Sequence, residues 1–135
     1  MTQVNAVYSV KSWDRKPWDS KPAAEVTGAH LARVEMIHTY EGDIEGEAII
    51  QYLFADNGDG KGGFVALEKV TGSVGGRSGS FVFQRTGTFD NGTIKEILVV
   101  VPGSGTGDLS GLSGQGTFEG DQHRENYPIT FDYEL

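Results

Sequence analysis

The sequence predicts an all-β protein, a single eight-stranded antiparallel barrel formed by residues 1–135, and three observations carry that expectation. Between Gly62 and Phe118 apolar and polar residues alternate in strand-like runs. Those runs are separated by Gly75-Gly76 and Asn91-Gly92, pairs that tolerate the positive φ angles of two-residue hairpin turns. No segment carries a convincing amphipathic helical repeat, and 20 Gly against 4 Pro suit many turns and bulges better than low complexity.

In chain order the expected strands are Val4–Trp13, Leu31–Tyr40, Ile44–Phe54, Phe64–Val74, Arg77–Phe89, Thr93–Val101, Leu112–Phe118 and Tyr127–Glu134. Most connections are short, so sequential strands should be neighbours, and eight of them can close and remove both exposed edges. A two-sheet sandwich is the alternative. Two segments break the rhythm. Asp14–Gly28, with Pro17, Trp18 and Pro22, reads as an irregular loop long enough to cross a barrel mouth as a lid. Pro102–Gly111, rich in glycine, reads as a tight irregular crossover.

The hairpin turns fix which side chains face inward. A two-residue loop at Gly75-Gly76 pairs Val74 with Arg77, Val70 with Phe81, Glu68 with Phe83 and Ala66 with Arg85. Phe64, Ala66, Val70, Phe81 and Phe83 then share the core face with Glu68 and Arg85, diagonal neighbours within reach of each other. The same count from Asn91-Gly92 pairs Gly87 with Glu96 and Arg85 with Leu98, bringing Glu96 to that face. Buried charges need partners, so the cluster is either an internal ion pair near a wet barrel end or part of a ligand pocket. Ile44, Ala48, Ile50, Tyr52 and Phe54 form the expected inward row of the third strand, with the Tyr52 hydroxyl a polar tip in an apolar wall. Tyr127, Ile129, Phe131 and Tyr133 do the same on the last. The opposite face, with Val65, Leu67, Val82, Ile97, Val99 and Val101, is too apolar for water and predicts a homo-oligomer, most simply a dimer.

Composition narrows function by exclusion. With 19 acidic and 11 basic residues, a formal net charge of −8, the chain lacks the basic surface that nucleic acid requires. There is no cysteine, hence no disulfide, thiolate metal site or Cys nucleophile. No leader-like apolar region or membrane-length run is seen, so a cytoplasmic protein without membrane partners is expected. Asp56-Asn57-Gly58-Asp59-Gly60 departs from calcium-loop spacing, with Leu67 at the closing Glu position, and reads as a hairpin loop. His30, His38 and His123 are scattered, so neither a metal nor a cofactor is expected; His38 lies in an alternating strand and faces either side. No G-x-S-x-G elbow supports hydrolase chemistry.

SWDRKPWD, EGDIEGEAIIQYLFA, GRSGSFVFQRTGTF and VVPGSGTGDLSGLSGQGTF together resemble a bacterial family known only as domain of unknown function 3224. The resemblance covers nearly the whole chain and implies a small antiparallel barrel of the allene oxide cyclase type, while implying no activity. Residues and resemblance together lead to a barrel that encloses a small, partly apolar molecule, with Tyr52, Glu68, Arg85 and Glu96 as candidate polar contacts. The alternatives are an isomerase or cyclase-like enzyme with an interior carboxylate as base, and a solidly packed structural module.

Overall fold

The computed structural model describes residues 2–17, 28–122 and 124–135, excluding the side chains of 16 and 17. Eight strands follow one another: β1 (Thr2–Pro17), β2 (His30–Gly42), β3 (Ile44–Asp56), β4 (Lys61–Val74), β5 (Arg77–Asp90), β6 (Thr93–Val100), β7 (Ser113–Asp121) and β8 (Tyr127–Glu134). Each pairs antiparallel with the next, and β8 returns to β1, closing the barrel. Closure leaves no row of unpaired backbone groups along a sheet edge.

Both counted hairpins have the expected register, from Val74↔Arg77 to Ala66↔Arg85 and from Asp90↔Thr93 to Phe83↔Val100. The turns explain it. Gly75 and Gly76 have φ of 57° and 85°, and Asn91 and Gly92 have 49° and 89°, the doubly positive signature of a turn whose twist matches the flanking strands.

β1 differs from expectation. It continues past Trp13 to Pro17, so residues 14–17 are strand rather than loop, paired with β2 from Asp14↔Glu35 to Pro17↔Ala32. The register shifts between Val10 and Ser12, where Lys11 is the extra residue of a bulge. The rest of the segment expected to form a lid, residues 18–27, lies outside the described residues.

The barrel has two interior clusters. One end is filled by Ile44, Val70, Val74, Phe81, Phe83, Leu98, Val100 and Phe131, capped by Leu109 and Leu112, all essentially inaccessible. Leu109 belongs to a short 3-10 helix, Gly107–Leu109, inside the segment expected to be an irregular crossover. That segment follows β5 beyond the end of β6: Val101 N–H donates to Val82 C=O and Thr106 N–H to Ser80 C=O, each at 2.9 Å. Gly79 permits the approach, since a Cβ there would lie 2.0 Å from the Thr106 carbonyl oxygen. The other cluster, Val34, Ile50, Tyr52, Phe64 and Ala66 with Met36, Phe54, Phe89 and Ile94 packed against it, surrounds the opposite end.

Candidate functional site

Between the two clusters lies a layer of charge. Period-two alternation carries His38 and Tyr40 to the inside of β2, Glu68 to the inside of β4, Arg85 to the inside of β5 and Glu96 to the inside of β6; Tyr8 faces them from β1. His38, Glu68 and Arg85 are fully buried, and Glu96 is 5% exposed.

Arg85 organises the layer. Its Nε and Nη2 donate to Glu68 Oε1 at 3.0 and 2.9 Å, Nη2 also to the Tyr40 hydroxyl at 2.8 Å, and Nη1 to Glu96 Oε1 at 2.6 Å and the Tyr8 hydroxyl at 3.2 Å. Those five bonds use every N–H a guanidinium has. Its carbon also sits 4.7 Å from the centre of the Tyr8 ring. Glu68 is equally committed: Oε1 accepts from Tyr40 at 2.8 Å as well, and Oε2 meets His38 Nδ1 at 2.7 Å.

The two carboxylates respond oppositely to one guanidinium. Burial opposes charge on Glu68, but Arg85, His38 and Tyr40 outweigh it and hold its carboxyl down to about 2. Burial dominates at Glu96, and with the Glu68 charge it raises this carboxyl above its ordinary range despite Arg85. Burial lowers His38 from the usual histidine value against the pull of Glu68. An ionised Glu68 accepts from Nδ1, so the neutral ring carries its proton there and its lone pair on Nε2. Nε2 is buried and has no hydrogen-bond partner among the described residues.

Above this layer is a cavity of about 140 Å³, walled by Tyr8, His38, Tyr52, Phe64, Ile94 and Glu96 among others. It opens into a wider mouth of about 470 Å³; Val10, Met36, Phe54, Phe89, Gln122 and Tyr127 line both. Gly87, facing Glu96 across the β5–β6 ladder, helps to make the room: a Cβ there would stand 2.5 Å from Phe64 Cζ and 2.8 Å from Glu96 Cβ.

All four residues singled out in the sequence therefore point inward, but into two zones. Tyr52 and Glu96 line the cavity, whereas Glu68 and Arg85 lie beneath it and bond to its wall. Counting from the turns missed His38, Tyr8 and Tyr40. The alternation Val34-x-Met36-x-His38-x-Tyr40 held the signal, since an inward Val34 carries the rest inward. Among the described residues no group of three His, Asp or Glu side chains is arranged to hold a metal ion.

The description "protein of unknown function (DUF3224)" attaches to a family model that matches residues 4–133. The chain belongs to that family. A crystal structure of a family member of unknown function, from Shewanella oneidensis MR-1, is 32% identical and aligns over 100% of this chain and 99% of its own, with a TM-score of 0.74. No curated protein matches.

Proposed function

We propose that the barrel binds a small, partly apolar molecule whose buried end donates a hydrogen bond to His38 Nε2. The observation that carries this reading is His38, whose ring lines a cavity otherwise lined mostly by aromatic rings and aliphatic side chains and whose buried Nε2 has no partner among the described residues. Leaving a buried acceptor unpaired costs about 1–3 kcal/mol, and a donor on a bound molecule would recover it. A cavity of about 140 Å³ accommodates a single aromatic ring, as benzene occupies an engineered cavity of about 150 Å³ elsewhere. In this reading Tyr52 and Glu96 contact the occupant, and Glu68 and Arg85 act through His38 and Glu96. Calorimetric titration with phenol and toluene tests it. Phenol should bind more tightly, and His38→Phe should erase the preference; no binding of either to the wild type overturns the reading.

One observation favours a second reading, an isomerase or cyclase-like enzyme. The Glu68–His38 contact has the arrangement that orients a general base, with Nε2 rather than a carboxylate available to take a proton. A proton would leave carbon beside a carbonyl for Nε2 and return to another carbon of the same substrate. Deuterium uptake by phenylacetone in D2O, followed by NMR, should fall to the solvent rate in His38→Gln; no acceleration by the wild type removes this reading.

We also propose that two copies pair through the outer face of β3–β6. Ile49, Leu53, Val65, Leu67, Ile97 and Val99, on β3, β4 and β6, are each at least 40% exposed there, with the uncharged Gln84 and Thr86 of β5 between the β4 and β6 pairs. They present on the order of 500 Å² of apolar surface, at the upper end for a monomer and the scale of an interface core. In a chain of net charge −8, two copies repel least where they meet on uncharged residues. Analytical ultracentrifugation should find a dimer that Leu67→Glu dissociates; a wild-type monomer at micromolar concentration contradicts it.

A further inference from the structure

The bulge at Lys11 changes what the mouth of the barrel can bind. Up to Val10 the inward residues of β1 fall on even numbers, Val4, Ala6 and Tyr8 being buried. The inserted residue shifts the phase, so that Trp13 stands opposite Met36 and Arg15 opposite Val34, both inward positions of β2. Without it Trp13 and Arg15 would face outward. With it both line the mouth, where Arg124, from the connection between β7 and β8, joins them.

Two guanidiniums thus border the mouth on a molecule with 19 acidic and 11 basic residues. Among the described residues the one carboxylate lining it is Asp56. It is turned to local work, its Oδ1 accepting the Gly58 N–H at 2.8 Å and its Oδ2 lying 4.0 Å from His30 Nε2. Arg15 Nη2 meets that same His30 nitrogen at 2.7 Å, and Arg124 Nε donates to the Asn126 carbonyl at 3.0 Å. These contacts position both guanidiniums, and each retains N–H donors beyond the bond given.

Resting on the ligand-binding reading above, we propose that the occupant is a rod-shaped amphipathic molecule ending in a single carboxylate, held at the mouth by Arg15 and Arg124. Its other end is the donor that reaches His38, and its apolar body lies between Phe54, Phe64 and Phe89. The ladder sets its length. His38 and Val34, the position opposite Arg15, are four residues apart on β2, about 13 Å along the strand at about 3.3 Å per residue. Strand tilt shortens this to about 10 Å along the barrel axis. A hydrogen bond at one end and the reach of an arginine at the other leave room for one ring and a chain of two or three carbons.

The probe that matches is 3-(4-hydroxyphenyl)propanoate, compared with its methyl ester and with phenol. The acid should bind at least tenfold more tightly than the ester, and the preference should shrink as salt is raised from 0.05 to 0.5 M, about the range over which screening of exposed charge becomes severe. Arg15→Gln combined with Arg124→Gln should bring the acid down to the affinity of the ester. Equal binding of acid and ester by the wild type, or a preference that survives the double substitution, overturns this inference while phenol binding leaves the ligand-binding reading standing. Failure of phenol, ester and acid alike overturns both.

Discussion

At the closed end of the barrel Phe81, Phe83 and Phe131 meet edge to face with centroids 4.9 and 5.3 Å apart, whereas at the open end Tyr52, Phe54 and Phe64 stand 5.3–5.5 Å apart around a cavity. The rings are equally close, so ring spacing does not decide which end is solid. The closed end is capped by Leu109 and Leu112, delivered by the crossover that Gly79 admits. The open end rests instead on the Arg85 layer, whose side chains are fixed by hydrogen bonds and cannot slump into the space above them. A buried ionic layer adds little stability over an apolar one, but it fixes geometry.

The widest separation between the two ends should come from truncation. Phe83→Ala, removing a fully buried ring from the packed end, should cost about 3–5 kcal/mol; Phe64→Ala, beside existing space, should cost about 2 kcal/mol or less. Arg85→Met attacks the layer itself. With Glu68 and Glu96 stripped of their common partner, a loss of about 3–5 kcal/mol is expected. Urea unfolding midpoints measure all three, and equal costs for the two phenylalanines would mean that the open end packs as tightly as the closed one.

Acid should dissect the layer next. Glu68 is held at about 2 in the fold against 4.5 when free, so the folded state binds fewer protons there. Its contribution, about 3 kcal/mol, is complete above pH 4.5 and disappears as the pH falls toward 2. His38, lowered in the fold, acts in the same direction: its contribution is present above 6.5 and is lost on acidification below it. Glu96 acts oppositely, because a raised carboxyl stabilises the fold when protonated and less as the pH rises through its folded value. Unfolding free energy measured from pH 8 to 3 should therefore decline with acid, and more steeply in Glu96→Gln. A flat profile in Glu96→Gln, where the opposing contribution is gone, would mean that the fold does not hold the Glu68 carboxyl down.

The barrel and half of the layer were legible because two short turns fix the register of three strands, and a register determines faces. Glu68, Arg85 and Glu96 could be placed inside from Gly75-Gly76 and Asn91-Gly92 alone. The mouth was not legible. A bulge leaves no composition signal at Lys11, so nothing in the order of residues tells that Trp13 and Arg15 change sides. Partner assignment was equally hidden, since inward pointing brings Arg85 near several acceptors without saying that all five donors are taken.

Two tyrosine hydroxyls give the finest comparison. The Tyr40 hydroxyl is inside the layer, donating to Glu68 Oε1 and accepting from Arg85 Nη2, each at 2.8 Å. Tyr40→Phe leaves both charged groups one partner short, and bonds to charged groups are each worth about 1.5–3 kcal/mol. Tyr52 instead lines the cavity, its ring packed on Phe54 and Phe64, and Tyr52→Phe keeps that packing. Its cost should be under about 0.5 kcal/mol, typical of a change outside any such network. The two substitutions remove the same oxygen, so their difference in unfolding free energy isolates the surroundings. If Tyr52→Phe proves as costly as Tyr40→Phe, the hydroxyl of Tyr52 is part of the floor, and the rigid layer reaches one ring further into the cavity.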